Sequence, residues 1–212
     1  MHDDPTVDGL LIDDVMPVFD VCIAECLVVR ADPRATFAGA RALDFLRVHS
    51  PLLDAAMWAR GLPDRLTGHA AETPARLVLG EGDPMPGWLV LGERPEHDLA
   101  FGAVGRFWQP QIVWHDVDPA EFVTFEEPGW GKIVATFAVV PYGTHAALLT
   151  YECRTHLTDP ASRRAFRRYW WLVRPFVAHI FRATLRTIRD DVERAVAAED
   201  RTPPPVSDPE PR

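Results

Sequence analysis

The strongest constraint on this chain is a single helix. A strand-like run ending near Leu157 turns at Thr158-Asp159-Pro160 into a very long amphipathic helix that extends to about Ala198. Phe166, Tyr169, Trp170, Val173, Val177, Ile180, Thr184, Leu185, Ile188 and Val192 recur at spacings of three and four, which sets them on one face. A stripe this bulky needs cover, because burying apolar surface is worth about 25 cal/mol per Å². The short strand-like runs upstream can supply it. The pattern predicts an α+β fold: a curved antiparallel sheet of six to seven strands wrapped round the helix, with an apolar cavity between the two. Pro175 removes one helical hydrogen bond and is a candidate bend.

The upstream order supports that cover. Asp20 to Arg30 is rich in β-branched and apolar residues and reads as the first strand. Asp32-Pro33 and Ser50-Pro51 each place a capping side chain before a proline at the first helical position. They predict two short helices, one through Phe37, Ala40, Leu43 and Leu46 and one over Leu52 to Arg60, stopped by Gly61. Between there and residue 86 only Arg76 to Leu79 looks extended. Strands then follow over Trp88–Glu93, Asp98–Trp108, Gln111–Asp116, Lys132–Tyr142 and His145–His156, and their short connections imply antiparallel neighbours. Gly102 and Gly105 lie inside a strand and read as a bulge that curves the sheet. Residues 1–17 read as a loose N-terminal segment, 18–198 as one domain, and 199–212 as a disordered proline-rich tail.

Composition narrows the classes. Apolar and charged fractions of 47% and 25% are those of a globular protein, and no apolar run reaches the ~18 residues of a membrane span. The acidic start Met1-His2-Asp3-Asp4 is not a secretory leader, so the cytoplasm is the expected location. Cys22, Cys26 and Cys153 read as buried reduced thiols, the first two being too far apart along a strand to bridge. The net charge of −9 argues against nucleic-acid binding. It is unevenly spread: residues 160–189 hold eight arginines and no acid. Arg163, Arg164 and Arg167 therefore mark a surface for an anionic membrane or an acidic partner, unless that face simply pairs with acids of the body. The eight histidines form no metal-ligand cluster, the three serines no nucleophile elbow, and no cofactor fingerprint is present. Nothing in the pattern sets an oligomeric state.

The element order, together with Gly105-Arg106-Phe107-Trp108, Pro128-Gly129-Trp130, Tyr151-Glu152-Cys153-Arg154-Thr155 and the segment from Thr158 through Arg163-Arg164-Ala165-Phe166-Arg167-Arg168-Tyr169-Trp170, resembles the START/Bet v 1-like helix-grip superfamily, also called SRPBCC. These segments are similar to those of uncharacterised bacterial members. The resemblance implies a strand, two helices, six strands and a closing helix around a hydrophobic pocket. Such pockets hold lipids, sterols or polyketides, and some members are cyclases. No catalytic motif is common to the superfamily, so no catalytic residue is carried over.

The expected function is binding of a small apolar or aromatic molecule between sheet and helix. In the last strand Ala147, Leu149, Tyr151 and Cys153 share the face toward the helix, and Glu152 and Arg154 share the other. Two readings of that pair stand: a solvated outer face, or a polar anchor inside the pocket. Arg106 and Trp108 are placed opposite Leu99, Phe101, Ala103 and Phe107 by the same alternation. The candidate ligand contacts are Tyr151, Glu152, Arg154, Arg106, Trp108, Trp130, Phe166, Tyr169, Trp170 and Val173, with Arg168 a further polar group and Trp130 a gate at the pocket mouth. Two alternatives are a cyclase- or aromatase-like enzyme using pocket Tyr, Arg or Glu as acid–base groups, and a non-enzymatic docking protein using the arginine face.

Overall fold

The structure is a computed structural model that describes residues 9–45, 48, 87–109, 111–199 and 201. Its elements are α1 (Leu11–Val15), β1 (Val21–Val29), α2 (Pro33–Arg41), β2 (Trp88–Arg94), β3 (Asp98–Arg106), β4 (Val113–His115), β5 (Gly131–Pro141), β6 (Ala147–Leu157) and α3 (Pro160–Glu199). The helix expected over Leu52 to Arg60, the extended run Arg76 to Leu79, and most of the C-terminal tail lie outside the described residues.

All strand pairs are antiparallel, in the order β1-β6-β5-β3-β2, with β4 also on β3. α3 lies across this sheet and packs on β1, β6 and α2. This is an α+β helix-grip architecture. α2 begins where its sequence requires: Asp32 Oδ1 accepts from the Ala35 amide at 2.8 Å, and Pro33 occupies the first turn. It ends at Arg41, short of the expected Leu46. α3 continues unbroken across Pro175, whose missing N–H leaves the Trp171 carbonyl without its in-helix donor.

β6 alternates buried and half-buried residues along its whole length, as a strand between two different environments must. Ala147, Leu149, Tyr151 and Cys153 join Phe101, Phe137, Phe181, Leu185 and Ile188 in the main core between sheet and helices. The other face is also covered. Ile12 and Met16 are buried there with Val104, Phe122, Phe125 and Val134.

Several expectations are corrected. Residues 9–17 are not loose, because Leu11–Val15 forms a helix that caps this outer core. Cys22 and Cys26 are exposed and only Cys153 is buried, since the even positions of edge strand β1 point away from the core. The register shift falls between Val90 and Gly92 in β2, not at Gly102 or Gly105. Gly102 instead permits close approach, as a Cβ there would come within 2.7 Å of the Ile133 carbonyl oxygen.

Candidate functional site

The centre of the sheet–helix interface is packed with rings. Tyr151 stacks on Phe181 with centroids 3.9 Å apart and on Phe137 at 4.5 Å, and Phe101 lies 5.8 Å from Phe137. Burial raises the Tyr151 phenol far above its ordinary pKa, so it stays protonated and cannot serve as a base. Tyr151 is thus a core residue. Its nearest partner, Phe181, falls outside the predicted stripe, which runs through the adjacent Ile180.

Glu152 and Arg154 face neither a pocket nor open solvent. Arg154 Nε lies 2.7 Å from Glu152 Oε1, its Nη2 lies 2.7 Å from Asp13 Oδ1, and its Nη1 donates to the Met16 carbonyl at 3.1 Å. The guanidinium also sits 4.7 Å over the Phe19 ring. These contacts fasten α1 and the following turn to the outer face of β6. Arg106 is on the outer side too, donating to the Gly129 carbonyl at 3.1 Å and lying 4.3 Å over Trp130. Trp130 in turn packs on His115 at 4.7 Å within the outer core, so it does not gate a mouth between sheet and helix.

The remaining candidates, Trp108, Phe166, Tyr169 and Trp170, do come together. Trp108 is edge-on to Phe166 at 6.2 Å, Phe166 stacks on Trp170 at 5.9 Å, and Tyr169 is 5.9 Å from Phe166. Trp108 joins this cluster against the alternation because β3 ends at Arg106 and the chain turns. Val173 is half-buried on the same helix but lines no part of the groove described next.

Beside the cluster, where α3 begins against the edge of β1, an open groove of about 900 Å³ is lined by the apolar side chains of Val21, Leu157, Phe166, Trp170, Trp171 and Pro175, together with Cys22, Asp20, Arg163, Arg167 and Arg174. Arg163 is engaged, 3.1 Å from Asp20 Oδ1 and donating to the Leu157 carbonyl at 3.2 Å. Arg167 and Arg174 pair with no carboxylate among the described residues. The groove therefore sets beside an aromatic wall two guanidinium groups that no carboxylate among the described residues neutralises. Cys22 is exposed as a residue, but its sulfur is partly shielded 3.5 Å from Glu152 Oε1; that shielding first, and the carboxylate second, push the thiol up to about 11, so it stays protonated at neutral pH. Residues 163, 167, 170, 171 and 174 recur at helical spacing, so the wheel that gives the apolar stripe also holds this flank. What it cannot give is the facing edge, Asp20 to Cys22.

A second open cleft of about 650 Å³ lies between α2 and the end of α3, walled by Ala38, Gly39, Ala42, Val192 and Ala195. The helices touch there, a Cβ on Gly39 falling 2.2 Å from Val192 Cγ2. It lacks the aromatic wall of the first groove. Among the described residues no three His, Cys, Asp or Glu side chains are grouped to hold a metal ion, and no helix is long and apolar enough to cross a membrane.

No family profile and no curated protein sequence matches the chain. Among solved structures it is similar to a norcoclaurine synthase point mutant from Thalictrum flavum in complex with a transition-state analogue, at 12% identity and a TM-score of 0.41 over 83% of this chain and 96% of that one. It is also similar to the ZhuI aromatase/cyclase of a Streptomyces species (12% identity, TM-score 0.31, 84% and 97% covered). A third is CalU16 from Micromonospora echinospora (12% identity, TM-score 0.28, 84% and 86% covered). At these values none of them assigns an activity or a ligand to this chain.

Proposed function

We propose that the protein binds a small apolar or aromatic molecule bearing a negative charge, held in the groove between the edge of β1 and the start of α3. The observation that carries this is the pairing of an aromatic wall, Phe166 and Trp170, with Arg167 and Arg174, which no described carboxylate neutralises. Ring stacking and burial supply affinity, and the guanidinium fork orients a carboxylate, sulfonate or phosphate. The site is displaced toward the start of the helix from the enclosed cavity that the sequence pattern predicts, because the centre is filled by Tyr151 and Phe181. The reading accords with a cytoplasmic START/Bet v 1-like protein of bacterial type. It needs no acid–base chemistry from Tyr151 or Cys22, both of which hold their protons at neutral pH.

Fluorescence titration with anilinonaphthalene sulfonate, beside its neutral counterpart phenylnaphthylamine, tests this. Wild type should prefer the sulfonate. Arg167→Ala with Arg174→Ala should lower sulfonate affinity about tenfold for each charge-assisted hydrogen bond removed, and leave the neutral probe nearly unchanged. Equal affinity of wild type and double variant for the sulfonate rejects the groove as an anion-binding site.

A further inference from the structure

The outer surface of the same helix carries a feature that the groove shares only in part. Trp171 and Leu172 are 82% and 71% exposed, more than any other large apolar side chain among the described residues. A single exposed apolar residue needs no explanation. These two are adjacent, and positions 164, 168, 171 and 172 share one helical face, so Arg168 stands one turn and Arg164 two turns before them. Arg167 and Arg174 flank the pair. All four arginines are exposed, and none is paired with a carboxylate among the described residues.

We infer that Trp171, Leu172 and the surrounding arginines form a docking face for an anionic lipid surface. The apolar pair would sit at the level of the headgroups, where a tryptophan ring keeps its N–H wet, and the guanidinium groups would bind lipid phosphates. The net charge of −9 does not oppose this. Charges beyond about 8 Å are largely screened at physiological salt, and the two described acids at the start of this helix are engaged, Asp159 in capping hydrogen bonds and Asp20 with Arg163. A bilayer fits the shape better than an acidic protein. The apolar pair protrudes from a convex helix, and a rigid partner would need a matching pocket, whereas the lipid interface yields. Trp171, Arg167 and Arg174 also border the groove, so docking would bring its mouth to the lipid. The inference stands without the groove reading, because Arg164, Arg168 and Leu172 line no part of it.

Vesicle sedimentation of the full chain separates the two. Wild type should co-sediment with vesicles of phosphatidylcholine and phosphatidylserine, not with phosphatidylcholine alone, and should release as salt rises. Leu172→Glu, and separately Arg164→Glu with Arg168→Glu, should each weaken vesicle binding, the arginine pair by roughly fivefold or more per residue. Both variants should keep the wild-type far-ultraviolet circular dichroism and wild-type affinity for anilinonaphthalene sulfonate. Failure of wild type to sediment with anionic vesicles at low salt overturns the inference, as does unchanged binding by both variants. Capture on immobilised polyglutamate with no vesicle binding overturns it in favour of an acidic protein partner. None of the vesicle outcomes depends on whether the sulfonate binds.

Discussion

The two halves of α3 carry the same apolar spacing and use it differently. From Phe176 onward, Phe181, Thr184, Leu185, Ile188 and Val192 are all buried, facing the sheet and α2. Before Pro175, only Ser162 and Phe166 are buried, while Tyr169 and Trp170 are half-covered and Trp171 and Leu172 stand in solvent. Helical periodicity fixes which face a residue lies on; the elements opposite decide how deeply it is buried. The second half meets β6, β1 and α2. Among the described residues the first half meets the edge of β1, the turn after β3, Leu157 at the end of β6 and Ile133 of β5, and its uncovered side is where both the groove and the proposed docking face lie.

The largest test of this division is Phe181→Ala. Removing a buried ring that stacks on Tyr151 should cost about 3–5 kcal/mol of unfolding free energy in urea titration. Anilinonaphthalene sulfonate affinity should hold under conditions where the variant stays folded. A cost below about 1 kcal/mol would mean that the second half does not anchor the helix.

How far the chain can be read from its sequence follows the same line. The alternation of β6 is legible because its two faces differ in polarity, and it places Tyr151 and Cys153 toward the helix correctly. Glu152 and Arg154 escape it, because their cover comes from α1, and Arg154 reaches across 138 residues of chain to the Met16 carbonyl. A five-residue helix in an acidic N-terminal stretch gives periodicity too little length to register. Trp108 is misplaced when strand alternation is extended past Arg106, where the chain turns. The aromatic and arginine members of the groove are visible on the helix, but β1 lies too far upstream for spacing to bring it to them.

An intermediate effect is expected at the helix start. Asp159 Oδ1 accepts from the Ala161 and Ser162 amides at 2.8 and 3.0 Å, and its Oδ2 accepts from Ser162 Oγ at 2.5 Å and from the Gly129 amide at 2.7 Å. It caps the first half of α3 and ties it to the turn before β5. Asp159→Ala should cost about 1 kcal/mol. These hydrogen bonds, from Ser162 first, hold the carboxyl well below the usual aspartate range. Its contribution is therefore complete above the unfolded value of ~3.9 and falls away as pH drops through the depressed folded value. The gap in urea midpoint between wild type and Asp159→Asn should shrink on acidification below about pH 4. A gap that stays constant or widens there would show that ionised Asp159 is not the cap.

The smallest effect probes the well-packed half. Thr184 is fully buried, and its Oγ1 has no hydrogen-bond partner among the described residues. A buried hydroxyl without a partner gives up its bonds to water and gains nothing in return, so it subtracts from the stability its methyl group contributes. Valine keeps nearly the same shape and omits that penalty. Thr184→Val should raise the unfolding free energy by up to about 1 kcal/mol, read as a higher urea midpoint with an unchanged slope. A lower midpoint would mean that the hydroxyl bonds back to a carbonyl one turn earlier. The packing of the second half would then include a polar contact, and its contrast with the first half would be one of burial and no longer of polarity.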